Sequence, residues 1–96
     1  MAANYAEIKC INKTPRDDPW DRIQNVGGIN PNGIRWKQSQ QQTIQEIESG
    51  SWGFYVMQSS RRVDVIVATS RFGNKYIKTV ADGDQPNNLL SLPECP

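Results

Sequence analysis

The chain has 96 residues, 36% of them hydrophobic, and its eleven basic and ten acidic side chains leave a net charge of +1. This size and composition fit one globular domain over residues 1–96 and argue against a disordered chain. The near-neutral charge gives no strong signal for nucleic-acid binding, and no segment reaches the ~20 apolar residues of a membrane-spanning helix. Because the first residues also lack the pattern of a signal peptide, we expect a cytoplasmic protein with no membrane partner.

The residue types that usually carry catalysis are scarce. The chain contains no histidine, which removes Ser-His-Asp and Cys-His arrangements and the usual general base near neutral pH. Cys10 and Cys95 lie near opposite ends without metal-ligand spacing, so they indicate neither a zinc site nor a disulfide framework, and whether they pair stays open. We therefore predict a protein that is not an enzyme and has no cofactor or metal.

The first half of the chain alternates strand and helix signals. Residues 5–11 alternate between two faces and predict a strand, and Asp18-Pro19 has the layout of a helix start. Gly27-Gly28 is typical of a helix stop, which predicts a helix up to these glycines. Residues 34–37 predict a short strand. Ser39 begins a capping box for a second helix over 40–48 that ends at Gly50.

The second half reads as a meander. Residues 52–57, 63–69 and 75–80 are rich in β-branched and aromatic side chains and are separated by turn residues. The tail after Asp82 contains Leu89, Leu90 and Leu92, which predict a segment packed on the domain. We predict an α+β fold: an antiparallel sheet of four to five strands with two short helices packed on one face. A small β-barrel is the alternative.

Three local patterns suggest ligands but have simpler interpretations. Asp82-Gly83-Asp84 resembles the start of a calcium loop, but the later ligand positions do not fit and an ordinary turn is favoured. Val26-Gly27-Gly28 is glycine-rich like a phosphate loop, but a helix stop explains it better. The tryptophans Trp20, Trp36 and Trp52 form either a stacking platform or part of the core, and the core is favoured.

Basic residues gather between positions 61 and 78, where Asp64 is the single acidic residue. Such a patch on two hairpins favours an anionic partner. Its members considered for a ligand site are Arg61, Arg62, Arg71, Lys75 and Lys78.

Several strings, in order along the chain, resemble the domain-of-unknown-function family 3892, whose members are small and mainly bacterial. They are Ile8-Lys9-Cys10-Ile11, Arg22 to Gly28, Ile44 to Gly50 leading into Trp52 to Val56, Lys75 to Thr79 with Asp82, and Asn87 to Cys95. The resemblance implies a compact domain that stands alone, with no activity to carry over. Its most distinctive polar residues offer a site in which Tyr76 stacks, Lys78 binds an anion, and Asp82 and Asn88 donate or accept hydrogen bonds. The favoured alternative is that they fasten the tail to the body.

These observations predict a small binding module for an anionic ligand such as a nucleotide, or for a protein partner. A structural or homo-oligomerising protein is the alternative, because the strand at 75–80 offers an edge to a second copy. A small enzyme that uses carboxylate or tyrosine chemistry is a weaker third interpretation.

Overall fold

The computed structural model of the chain describes residues 4–15, 22–82 and 87–96. Strands contain more of these residues than helices do, and short turns connect the elements along the chain. The strands are β1 (Tyr5–Glu7), β2 (Cys10–Lys13), β3 (Ile23–Ile29), β4 (Arg35–Ser39), β5 (Gly53–Gln58), β6 (Arg61–Thr69) and β7 (Lys75–Thr79). The helices are α1 (Gln40–Ser49) and α2 (Asn87–Leu90).

The strands form two sheets. The larger has the order β1-β5-β6-β7, in which β1 runs parallel to β5 and the other pairs are antiparallel, and the smaller has the antiparallel order β2-β3-β4. The larger sheet is consistent with the predicted four to five strands, but the second sheet was not predicted. The barrel alternative is wrong, since the described strands form no closed barrel.

The predicted first strand is divided between the two sheets. Ile8 N donates a hydrogen bond to Tyr55 O of β5, and Lys9 N donates one to Gly27 O of β3, both at 2.8 Å. The chain therefore leaves the larger sheet after β1 and enters the smaller one as β2. Ile8 is buried at this crossing and belongs to the core.

The predicted first helix is wrong over the part that the structure describes. Residues 23–29 form β3, while the predicted helix start at residues 18–21 lies outside the described ranges. Gly28 does not stop a helix; it pairs with Trp36 across the smaller sheet. A Cβ added at Gly28 would lie 2.9 Å from Trp36 Nε1 and would collide with Glu7 O. Glycine inside a strand often marks such a close approach.

Helix α1 agrees with its sequence signals. The Ser39 side chain accepts a hydrogen bond from Gln42 N, and Gly50 ends the helix with φ of 78°. Ile44 is buried and Ile47 packs against the core. No helix in the described ranges is long and apolar enough to cross a membrane.

Gln40, at the start of α1, joins the two sheets. Its side chain is buried, its Oε1 accepts a hydrogen bond from Ile77 N of β7, and its Nε2 donates one to Ile23 O of β3. These contacts pair polar backbone groups that would otherwise be costly to bury. The helix thus covers the gap between β3 and β7.

The predicted meander is confirmed as β5, β6 and β7. In the first hairpin Gln58 pairs with Arg61, and the two turn residues, Ser59 and Ser60, have φ of 49° and 67°. Positive φ at both positions is what a two-residue type I′ turn requires.

The core lies between the two sheets and is closed by the tail. Its buried members are Ile8, Ile11, Ile23, Val26, Ile44, Phe54, Val56, Val65, Ile77 and Leu89. The predicted packing of the tail is confirmed, because Leu89 is fully buried and Leu90 and Leu92 pack beside it.

The tail is also fastened to β2. The backbone at Glu94 bridges Ile11 in parallel fashion, so the tail runs beside the edge of β2. Cys10 and Cys95 then form a disulfide, with 4.9 Å between their Cα atoms. The open question about these cysteines is thus answered: they pair with each other, and the parallel bridge at the neighbouring residues Ile11 and Glu94 brings the two segments together.

Candidate functional site

A cavity of about 240 Å³ lies where the two sheets and α1 meet. Four of its lining residues are apolar or aromatic, two are amides and one is a carboxylate. They are Ala6, Trp36, Trp52 and Phe54, then Asn30 and Gln38, then Glu46. We call this cavity the aromatic pocket.

Three aromatic rings form its walls. The ring centroids of Trp36 and Phe54 are 6.0 Å apart, with 47° between the ring planes. Phe54 is buried in the core, Trp36 is half-buried, and Trp52 keeps 38% of its surface exposed. Trp36 therefore packs against the core, as the favoured interpretation predicts, whereas Trp52 is exposed; both line the pocket, and a stacking platform stays a prediction. Trp20 lies outside the described residues.

Local structure explains how the rings reach the pocket. Trp36 and Gln38 are two residues apart on β4, so their side chains share one face. The absence of a Cβ at Gly28 makes room for the Trp36 indole. Trp52 follows the end of α1, where its backbone N donates to Glu46 O at 3.3 Å.

The polar side of the pocket is a short hydrogen-bond chain. Gln38 Nε2 donates to Glu46 Oε1 at 2.8 Å and to Thr43 Oγ1 at 2.9 Å, and the Thr43 hydroxyl donates to Ser39 O. Thr43 is fully buried, which anchors this chain in the domain. The other Glu46 oxygen, Oε2, makes no hydrogen bond or ion pair within the described ranges. The amide therefore orients the carboxylate and leaves one of its oxygens available.

Arg62, one of the predicted ligand residues, lies in a cluster on the outer face of the larger sheet. Its Cζ is 4.6 Å from the centroid of the Tyr5 ring and 4.4 Å from that of Tyr55. Its Nε is 3.2 Å from Asp64 Oδ1. The Tyr5 ring lies across Gly53, where an added Cβ would be 2.6 Å from Tyr5 Cδ1. We call this group the Arg62 cluster.

The other predicted basic residues are distributed along the two hairpins. Lys75 Nζ lies 2.7 Å from Glu48 Oε2, and Arg71 Cζ lies 5.1 Å from the ring centroid of Phe72. Arg61 is exposed at the start of β6. Neither they nor Arg62 lines the aromatic pocket. Their role as a ligand site stays a prediction.

The predicted polar residues near the tail hydrogen-bond with one another and with the end of β7. These are the contacts expected if they fasten the tail to the body. Asp82 Oδ2 accepts hydrogen bonds from Thr79 N and Thr79 Oγ1, both at 3.0 Å, and Asp82 Oδ1 accepts one from Asn88 N at 3.1 Å. Asn88 Nδ2 donates to Thr79 Oγ1 at 2.7 Å. Tyr76 is only 4% exposed, and Lys78 Nζ lies 3.4 Å from Asp82 O. These contacts hold α2 against the end of β7.

The loop compared above with a calcium site is described only at Asp82, since Gly83 and Asp84 lie outside the described ranges. The Asp82 carboxylate accepts the three hydrogen bonds given above. In the part of the chain that the structure describes, no group of three or more His, Cys, Asp or Glu side chains is placed to hold a metal ion.

Sequence reasoning named Trp36 and Trp52 but missed Glu46, Gln38 and Phe54. The pocket draws its lining from β1, β4, α1, β5 and two connecting segments, so no single stretch of sequence contains it. An isolated glutamate on a helix is more often part of a solvated surface than of a site. Its partner, Gln38, lies eight residues earlier on a strand, and only the strand-to-helix turn at Ser39 brings the two together.

Comparison with known proteins gives one family. The model of a family described as "Protein of unknown function (DUF3892)" matches residues 7–93. That range includes every lining residue of the aromatic pocket except Ala6. Searches of curated proteins and of solved structures give no match.

Proposed function

Since the chain belongs to the DUF3892 family, as its sequence strings indicated, and the family description assigns no activity, we propose from the geometry that it is a small non-enzymatic binding module. Its ligand site in this proposal is the aromatic pocket. The observation that carries the proposal is the lining: three aromatic rings that converge on a cavity beside a carboxylate held by Gln38. A concave, mostly apolar cavity with a few placed polar groups is the usual form of a ligand site.

The volume sets the size of the ligand. Pockets for drug-sized molecules span about 300–1,000 Å³, and the aromatic pocket has about 240 Å³. The ligand is therefore smaller than the nucleotide predicted from the sequence: a small molecule, or one side chain of a protein partner.

The polar groups of the pocket favour binding over catalysis. Catalysis that uses a general acid and a general base needs two proton-transferring groups beside the reacting atoms. Glu46 is the single titratable side chain in the lining, and its neighbours there are amides and aromatic rings. This arrangement can hold a ligand but offers no second group to exchange a proton.

An anionic ligand remains the second candidate, at a different place. Arg61 and Arg71 are exposed on the two hairpins of the meander, where their guanidinium groups face solvent. Such groups bind phosphate or carboxylate well. The aromatic pocket does not suit an anion, because its charged residue is acidic.

The homo-oligomer alternative, which relied on an exposed edge at β7, finds less support. Along that edge Ile77 N donates to Gln40 Oε1 and Thr79 N donates to Asp82 Oδ2. These two backbone N–H groups are therefore already hydrogen-bonded within the chain. A strand from a second copy would have to pair with them to extend the sheet at this edge. Light scattering at high micromolar concentration tests this: a monomer agrees with the occupied edge, and a dimer disagrees.

A fragment screen tests the proposed function. Small cationic, neutral and anionic compounds, together with nucleotides at low salt, are tested for stabilisation of the intact chain against thermal unfolding. A ligand at 100 times its Kd should stabilise the domain by about 2.7 kcal/mol. We expect ligands whose effect is lost in Trp52→Leu and kept in Phe72→Leu, which removes an exposed aromatic ring outside the pocket.

Two results would contradict the proposal. One is the absence of any stabilising compound. The other is a set of anionic ligands whose binding is lost when Arg61 and Arg71 are changed to alanine but is unaffected by Trp52→Leu. That second result would move the site to the hairpins.

A further inference from the structure

We propose that the aromatic pocket selects a cation, specifically a methylated ammonium group. This inference rests on the proposed function, because it names the ligand class of the same site. The lining combines the rings of Trp36, Trp52 and Phe54 with the carboxylate of Glu46. Aromatic rings attract cations through their quadrupole, and tryptophan does so most strongly.

The charge of the lining points the same way. Glu46 is the single charged residue among the seven, and its Oε2 makes no hydrogen bond or ion pair within the described part of the chain. A carboxylate beside a partly enclosed cavity attracts a positive group and repels a negative one more strongly than it would in bulk water. The pocket therefore discriminates by charge as well as by shape.

Another set of rings and a carboxylate in the same chain already surrounds a cation. In the Arg62 cluster two aromatic rings and one carboxylate surround a guanidinium, with ring distances of 4.6 and 4.4 Å. The aromatic pocket presents three rings and one carboxylate. Two sites of like composition in one domain thus differ in where the cation comes from: Arg62 supplies it in the cluster, and a ligand supplies it in the pocket.

The apolar lining decides which cation fits. A primary ammonium or a guanidinium carries several N–H donors, each of which needs an acceptor when it is buried. The pocket offers few acceptors, since four of its seven lining residues are apolar or aromatic. A trimethylammonium group has no N–H donor and covers its charge with methyl groups that pack against rings. It also suits the volume of about 240 Å³.

The test compares two molecules of nearly the same shape. Choline carries a trimethylammonium group at the position where 3,3-dimethylbutan-1-ol carries a neutral tert-butyl group. Calorimetric titration of the intact chain should give choline a Kd at least tenfold lower, a difference of about 1.4 kcal/mol. A short peptide with trimethyllysine, beside the same peptide with unmodified lysine, tests whether the group can come from a protein.

Charge variants give a matched control. Glu46→Gln keeps an oxygen that can accept from Gln38 and removes the negative charge, so it should weaken choline binding about five- to tenfold and leave the alcohol unchanged. Glu48→Gln makes the same charge change two residues away on α1, on a residue outside the pocket lining, and should leave both affinities unchanged. Thermal unfolding of each variant checks that the fold is retained.

Three other outcomes would overturn the inference that the pocket selects a methylated ammonium group. Equal binding of choline and the alcohol, both lost in Trp52→Leu, would show a pocket that selects by shape, so the proposed function would stand and the cation selectivity would fail. If Glu46→Gln and Glu48→Gln weakened choline binding equally, the effect would come from the overall charge of the surface and not from the pocket. No binding of choline or of the trimethyllysine peptide would also overturn it, and the fragment screen would then decide the proposed function.

Discussion

The aromatic pocket and the Arg62 cluster are built from the same parts on opposite faces of β5. In each, an aromatic ring lies over a strand glycine: Trp36 over Gly28 in the pocket and Tyr5 over Gly53 in the cluster. Each also contains further aromatic rings and a carboxylate. The cluster contains a guanidinium, whereas the pocket is lined by no basic residue and has a volume of about 240 Å³.

Burial is the second difference between them. Phe54 of the pocket belongs to the core, while the side chains of Arg62 and Asp64 in the cluster are 47% and 58% exposed. Aromatic residues near a charge therefore do not identify a ligand site by themselves. What distinguishes the pocket is that Phe54 belongs to the core, Trp36 packs against it, and the carboxylate is oriented by Gln38, which also donates a hydrogen bond to the buried Thr43.

The neighbouring residues Phe54 and Tyr55 give the largest expected contrast. They point to opposite faces of β5, so Phe54→Ala should lower the free energy of unfolding by about 3–5 kcal/mol, the usual cost of removing a buried ring. Tyr55→Ala removes a partner of Arg62 on the outer face and should cost about 1 kcal/mol. Urea unfolding of both variants measures the difference. Similar losses of unfolding free energy in the two variants would contradict the statement that the pocket belongs to the core and the cluster to the surface. If Phe54→Ala does not fold, Phe54→Leu provides a milder variant.

The disulfide should affect the pocket side more than the cluster side. Cys10 and Cys95 lie beside β3, where a Cβ at Gly27 would be 3.0 and 3.1 Å from their Sγ atoms. Replacing both cysteines by serine should lower the free energy of unfolding by about 2–4 kcal/mol. Hydrogen exchange should increase first in β2–β4 and the tail and later in β6. A uniform increase over both sheets would contradict this localisation.

The same bridge bears on the predicted cytoplasmic location, which stays a prediction. Disulfides persist in oxidising compartments and are rare in the reducing cytosol. Thiol labelling of the protein inside intact cells distinguishes the cases: two free thiols agree with a reducing cytosol, and none agrees with an oxidising compartment.

The smallest effect is expected at the ion pair of the Arg62 cluster. A double-mutant cycle of Arg62→Ala and Asp64→Ala should give a coupling energy of about 0.2–1 kcal/mol, because both side chains are half-exposed. Coupling between Arg62 and Tyr5 should be about 0.5–1 kcal/mol. Added salt should reduce the first coupling, since it screens exposed charges. An Arg62–Asp64 coupling above about 2 kcal/mol would show that the cluster is as desolvated as the core.

The sequence predicted those helices and strands whose ends are set by neighbouring cap or turn residues. The Ser39 cap and Gly50 stop bound α1, and turn residues at 59–60 and 73–74 separate the strands of the meander. The glycines at 27–28 show where this reasoning fails. Glycine is needed both for a helix stop and for close approach inside a strand, and only the distant Trp36 and Glu7 O decide between them.

The candidate site was less predictable than the fold for a related reason. Trp36 and Trp52 were named because tryptophan is rare and conspicuous, but Glu46 resembles any exposed helical glutamate until the turn at Ser39 places Gln38 beside it. The two-sheet architecture likewise depends on the crossing at Ile8, where backbone groups change partners within one residue. A continuous period of two gives no sign of that change.

The link between Cys10 and Cys95 also determines how the domain would respond to mechanical tension. Their Cα atoms are 4.9 Å apart, although 85 positions of chain separate them. When the bridge is closed, a pull on the two ends passes through it and the segment between carries no load. When it is reduced, that segment can unravel to roughly 280–310 Å, at about 3.3–3.6 Å per residue. The redox state of one bond thus decides whether the protein behaves as a rigid link or as an extensible tether.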